Sequence, residues 1–207
     1  MRVFSVSSAE RVAVGVAAVV MALVATANAE RWEYRHELLA SEPWRLLSGH
    51  LVHLNWQHAA INALALLIVA RLFAPDLRGA RQGVVMVASA LFISVGLAML
   101  YPKIGWYRGL SGVVHGLFFA GAAAWLAKSQ PRTLRQLWLP LALLAGGWIK
   151  VLFEQPSGDA LPHADWLGAA VVPQAHLIGA ACGTVLGLAY ACADRRHQEQ
   201  RAEQQQL

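Results

Sequence analysis

The chain has 207 residues, 57% of them hydrophobic and 14% charged, against about 25% charged in an ordinary soluble domain. With a mean hydropathy of +0.44, this excludes a typical soluble enzyme and leaves one integral membrane domain with no soluble partner domain. The net charge of +5 does not indicate nucleic acid, because the basic residues sit in the gaps between apolar runs and not along one stripe.

Six apolar runs are drawn, at 11–29, 52–73, 83–101, 109–127, 137–153 and 168–192. Each is near the ~20 residues needed to cross a ~30 Å hydrocarbon core. The expected fold is therefore all-α, a polytopic bundle of six transmembrane helices over residues 1–193, followed by a polar cytoplasmic tail at 194–207. The first run has a rival reading: Arg2, Arg11 and Ala27-Asn28-Ala29 fit a cleaved signal peptide. Its length favours a retained span, and so does an even span count that keeps both termini on one side. Between the first two runs, Glu33 to Ala40 is predicted to form a short surface helix, and Trp32, Trp44 and Trp56 suit an interfacial belt. The tail from Asp194 is expected to be disordered or a frayed helix. Cys182 and Cys192 lie three turns apart on one run, so they cannot bridge each other there and read as packing residues.

Basic residues set the orientation. Arg2, Arg11, Arg71, Arg78, Arg81, Lys128, Arg132, Arg135, Arg195, Arg196 and Arg201 fall on one side of the span pattern. Arg31, Arg35, Arg45, Lys103 and Arg108 fall on the other, among seven acids that include Glu154. The positive-inside rule puts both termini in the cytoplasm, with loops 102–108 and 154–167 outside.

Runs two, four and six then all begin at the outer side, and their polar residues share one layer. His58 and Asn62 are four apart and lie on one helix face. Ser111 and His115 are also four apart. His176, Gly179 and Gly183 share a face of run six. Gly112 and Gly116 form a GxxxG pair on run four, and small residues at such spacing let two backbones approach closely. Runs four and six are expected to pack on these faces and bring Ser111 to His176. A serine is a weak nucleophile until a base takes its proton, and histidine is the usual base near neutral pH. His58, Asn62 and the Ser111 backbone N–H can supply donors for an oxyanion. No carboxylate falls on these three runs at this depth, so a Ser–His dyad without a third member is predicted. His50 and His53 are expected to point into an outward hydrophilic cavity.

Four motifs carry a resemblance: Trp44-Arg45, His53-x4-His58-x3-Asn62, Gly109-x-Ser111-Gly112, and Ala175-His176-x2-Gly179-x3-Gly183. In this order and at matching depth they resemble the rhomboid intramembrane serine proteases. The resemblance implies a six-helix core with Ser111 as nucleophile and His176 as general base. It assigns the oxyanion hole to His58, Asn62 and the Ser111 amide, with Gly109, Gly112 and His115 in support. His115 stands where rhomboids usually carry a tyrosine stacked on the catalytic histidine. Val171 and Ala70 replace usual glycines, and Ala74 stands where an acidic residue is often found. The short chain and Arg-Gly-Leu-Ser-Gly-x-x-His-Gly are similar to the rhombosortase subgroup, which implies substrates exported with a C-terminal Gly-Gly-type sorting helix. The implied partners are transmembrane substrates and membrane lipids, in a bacterial inner membrane, with no nucleic acid, no metal and no cofactor. The oligomeric state is left open.

Two rival functions remain. His50, His53, His58, His115 and His176 could ligate a metal, although the spacing is not H-E-x-x-H and no acid lies among them. An inactive relative that only binds transmembrane helices would be expected to lack the serine or the histidine, and both are present.

Overall fold

The computed structural model describes residues 29–128, 133–155 and 171–205. All but the last residue of the first apolar run, with Arg2, Arg11 and Arg132, lies outside them, as does the loop 156–167. The other five runs each form a helix.

The chain opens with a short turn of helix, α1 (Ala29–Trp32), a two-residue strand β1 (Tyr34–Arg35), a 3-10 turn at His36–Leu38 and a second short helix, α2 (Arg45–Ser48). The surface helix expected over Glu33 to Ala40 is therefore replaced. β1 pairs antiparallel with β2 (Trp106–Tyr107), with Tyr34 opposite Tyr107 and Arg35 opposite Trp106. Side-chain demands override helix propensity here. Tyr34 and Glu33 are both fully buried, and Glu33 pairs with Arg35 and, at 2.5 Å, with Arg108 in the loop ahead of run four.

α3 (Trp56–Leu72) starts at Asn55, whose extended backbone and side-chain oxygen cap the His58 N–H at 2.8 Å. α4 (Ala80–Leu100) follows Gly79, a glycine at φ 50°, and stops before Pro102. α5 (Ser111–Leu126) follows Gly109. The Gln136 side chain accepts the Thr133 N–H at 3.2 Å and helps open α6 (Leu134–Phe153). α7 (Pro173–Gln204) begins on a proline, the residue best suited to a first helical position. It runs without a break through Ala193 and Asp194, so residues 194–204 continue the last span as an exposed helix. α4, the Gln136–Phe153 part of α6, and α7 are long and apolar enough to cross a membrane. α3 and α5 are shorter apolar helices.

α5 is the central helix, buried along most of its length and packed by α3, α4, α6 and α7. Its contact with α7 is the tightest in the molecule. A Cβ added at Gly179 would strike the carbonyl oxygen of Gly112, one at Gly183 that of Gly116, and one at Gly187 that of Ala120. The paired numbers rise together in steps of four, so α5 and α7 run parallel with their backbones in contact.

This interface yields an expected outcome. Gly183→Ala sets a methyl against a backbone oxygen that cannot yield, and overpacking of this kind costs about 1–3 kcal/mol. Gly146, on α6, faces open space, and alanine there gains about 0.5–1 kcal/mol of helix preference. In detergent, Gly183→Ala should lower the thermal unfolding midpoint and Gly146→Ala should leave it unchanged or raise it. Equal midpoints for the two variants would contradict the interlocked contact.

Candidate active site

The loop ahead of α5 is anchored before the site is formed. Arg45 is buried and donates from Nη1 to the carbonyls of Glu30, at 2.9 Å, and Glu33, at 2.7 Å, while its Nε meets Glu42 at 2.5 Å. Glu33 in turn grips Arg108. The Gly109 N–H donates to the Gly49 carbonyl at 3.1 Å, and the Tyr107 hydroxyl donates to the Gly109 carbonyl at 2.5 Å. Gly109 has φ 128°, a conformation L side chains rarely adopt. A Cβ there would also lie 2.9 Å from Cε1 of His58. The glycine thus turns the chain sharply into α5 and leaves room for the His58 ring beside it.

Ser111 is the first residue of α5, so its N–H is among those a helix leaves without an internal partner. Its Oγ lies 2.9 Å from Nε2 of His176 on α7. The juxtaposition follows from the interlock, because Gly112 packs against Ala175 and Gly179. His115, one turn below Ser111, stacks on His176 with centroids 4.2 Å apart and planes 12° apart. The ring keeps its place by donating Nδ1–H to the Ser111 carbonyl at 2.8 Å. His58 and Asn62 lie on one face of α3, both buried, and the His58 Nδ1 and Asn62 Nδ2 atoms have no hydrogen-bond partner.

Two residues outside the predicted set complete the geometry. Glu154, just past the end of α6, places Oε2 3.1 Å from Nδ1 of His176. Its other oxygen takes the Lys150 ammonium at 2.5 Å, and the same ammonium lies 3.3 Å from Nε2 of His115. The expectation that no acid reaches the imidazole therefore fails. The carboxylate comes from just past the end of run five, not from runs two, four or six. The hydrogen bond with His176 lowers the Glu154 carboxyl most; burial opposes it, Lys150 adds to it, and the result is about 2. The signal in the sequence was Lys150-x3-Glu154, a charged pair one turn apart at the outer end of an apolar run.

His50 and His53 do not serve as expected. His50 is buried, and its Nε2 is within hydrogen-bond distance of the Ala90 carbonyl, at 2.9 Å, and Ser94 Oγ, at 3.0 Å. Burial pushes its imidazole down to about 4, against hydrogen bonds to backbone at Ala90 and Gly109 that pull it up. It fastens the loop before α3 to α4 and is buried, not wetted by the expected open outward cavity. His53 is also fully buried and meets the His58 ring edge-on at 5.1 Å.

His115, Glu154 and His176 offer ligand atoms within 4.8 Å of one another. The stacked rings argue against an ion there: their nitrogen lone pairs lie in two nearly parallel planes, with ring centroids 4.2 Å apart, so one ion cannot sit in both ring planes. The Lys150 ammonium, moreover, already occupies His115 Nε2 and Glu154 Oε1. The arrangement suits proton transfer from a hydroxyl to a fixed imidazole.

A Rhomboid domain model matches residues 40–192, about three quarters of the chain. The chain belongs to the rhomboid family. Rhomboid proteins are intramembrane serine proteases that act on transmembrane substrates, and the apolar helices make this one a multi-pass membrane protein. The matched span contains His58, Asn62, Ser111, His115, Lys150, Glu154 and His176. A search of curated proteins found no match.

The Gly109 turn can be tested against this rhomboid by fluorophosphonate labelling of Ser111. Gly109→Ala adds backbone strain of about 1–3 kcal/mol and displaces His58, so labelling should slow roughly 10²-fold, the cost of a misplacement near 1 Å. Gly105→Ala, where a Cβ meets nothing, should label at the wild-type rate. An unaffected Gly109→Ala would show that the turn does not shape the site.

Proposed function

We propose that this rhomboid is an active intramembrane serine endopeptidase. In this reading it cleaves transmembrane segments of exported proteins near the outer membrane–water boundary. The observation that carries the reading is the 2.9 Å approach of Ser111 Oγ to His176 Nε2, across two spans whose backbones touch at glycines and alanines. α5 has 16 residues, about 24 Å of helix, several ångströms short of a ~30 Å hydrocarbon core. That shortness favours a nucleophile sunk below one membrane face yet within reach of water.

The chemistry follows from atom positions. His176 Nε2 takes the Ser111 proton as Oγ attacks the scissile carbonyl carbon. The developing oxyanion accepts hydrogen bonds from the Ser111 N–H and from His58 and Asn62, whose unpartnered buried nitrogens are free to give them. The tetrahedral species collapses to an acyl-enzyme as His176 returns the proton to the leaving amine. Water, activated the same way, releases the acid. A helical peptide bond is shielded by its own hydrogen-bond ladder, so the substrate must unwind before attack. A cavity of about 200 Å³ lined by Val69, Phe118, Phe119 and Gly147, together with His115 and Lys150, lies among α3, α5 and α6. It supports lateral approach between runs two and five.

The finer reading is a bacterial inner-membrane enzyme of rhombosortase type with both termini in the cytoplasm. It would prefer small-residue sites such as Gly-Gly, which unwind at little cost and fit a narrow site. The excess of basic residues on one side of the spans supports the orientation.

Ser111→Ala and His176→Ala should each abolish cleavage of a transmembrane substrate while the protein still inserts in the membrane. Asn62→Ala should lose roughly 10²–10³-fold in rate, because other donors remain. Cleavage that survives either substitution would sink the Ser111–His176 assignment, and a cellular phenotype fully retained by Ser111→Ala would favour a non-catalytic helix-binding role.

A further inference from the structure

Ser–His chemistry needs the imidazole held in one tautomer and one orientation, and in this chain a carboxylate stands where that is done. Glu154 Oε2 is 3.1 Å from His176 Nδ1. A carboxylate can only accept, so Nδ1 carries the proton and Nε2 is left bare toward Ser111 Oγ, 2.9 Å away. The carboxylate is itself held: Lys150 Nζ takes Oε1 at 2.5 Å. Lys150 is then placed by His115. The His115 Nδ1–H can only donate to the Ser111 carbonyl, which leaves Nε2 as an acceptor for the ammonium at 3.3 Å. Five hydrogen bonds thus leave the Ser111 hydroxyl and return to the Ser111 carbonyl by way of His176, Glu154, Lys150 and His115. Every donor and acceptor in the ring has one consistent assignment.

We propose that Glu154, clamped by Lys150, is a positioning residue for His176, so that this rhomboid works as a Ser–His–Glu triad whose acid is delivered by α6. The inference rests on the proposed serine endopeptidase reading. Glu154 does two things in it. It fixes the tautomer with Nε2 free, and it stabilises the imidazolium formed when Ser111 gives up its proton. The groups facing His176 are Ser111 and His115 from α5, His58 from α3, and Lys150 and Glu154 from α6. Among the described residues Glu154 is the one anion facing the ring. The Lys150 charge is spent on the carboxylate and does not oppose the imidazolium alone.

The test uses the full chain in detergent, with the rate of fluorophosphonate labelling at Ser111 followed across the neutral pH range. The variants are Glu154→Gln, which keeps shape and loses charge, and Glu154→Asp, which keeps charge. Glu154→Gln should slow labelling by about 10²–10⁴-fold. Its acid limb should lie at lower pH than the wild type's, because the protonated ring has lost its anion. Glu154→Asp should recover at least about tenfold of the lost rate. Thermal midpoints recorded on the same samples separate a displaced imidazole from a collapsed fold. Wild-type labelling with Glu154→Gln within about threefold at every pH would overturn the triad and leave the endopeptidase reading intact. Equal losses in the Gln and Asp variants, with an unmoved pH profile, would also overturn it. No labelling of wild-type Ser111 would overturn the endopeptidase reading, and this inference with it.

Discussion

The contact between α5 and α7 decides where everything else can stand. In hydrocarbon, helices gain nothing by hiding apolar side chains from lipid, so they associate through close packing and polar contacts. Here packing reaches its limit: Gly179, Gly183 and Gly187 lie on the carbonyls of Gly112, Gly116 and Ala120. Two parallel helices that interlock every four residues have one register. A slip of one residue would drive side chains into backbone. With the register fixed, the residues just above the first glycine pair have no freedom of placement, and these are Ser111 and His176. Their 2.9 Å approach is thus a consequence of small residues that begin beside the serine and continue down both helices.

The second constraint is polar satisfaction. A buried, unpaired polar group costs about 1–3 kcal/mol in proteins, and the layer around Ser111 carries several. Those on α5, α6 and α7 satisfy one another in a closed ring. Those on α3 do not: His58 Nδ1 and Asn62 Nδ2 lack protein partners. The contrast divides the site into a side whose hydrogen bonds are already made and a side whose donors stand waiting. An oxyanion arriving beside Ser111 would meet the second without breaking the first.

Much of this was legible in the sequence. Run boundaries, the two glycine ladders and the i, i+4 pairs follow from periods of 3.6 and from the cost of polar groups in lipid; five of the runs became helices, four close to their expected limits and the last extended through the tail to Gln204. What escaped depended on contacts between distant segments. Glu33 to Ala40 carries helix-forming residues, yet buried Tyr34 and the Glu33–Arg108 pair draw it into a strand against Trp106 and Tyr107. His50 and His53 lie in a polar approach to α3, so water seemed their natural neighbour, but loop packing closed over both. Glu154 escaped because it stands beyond the end of an apolar run, where an acid ordinarily faces solvent. Only the 22-residue reach to His176 gives it a role, and no local period encodes that.

The same reach makes α6 an unusual member of the bundle. Of the helices long enough to cross a membrane it is the least enclosed, with 11% of its apolar window buried against 33% and 39% for α4 and α7. Low burial is where local displacement is cheapest. Yet this helix carries both charges of the ring, Lys150 near its end and Glu154 just past it, and it also walls the apolar cavity beside α3 and α5. A shift of α6 that widened this cavity would also carry the carboxylate away from His176 Nδ1, leaving the imidazole with Ser111 Oγ and the His115 stack. The space a substrate helix would enter and the alignment of the base are therefore governed by one weakly packed element. The ring is complete only when α6 sits against α5 and α7.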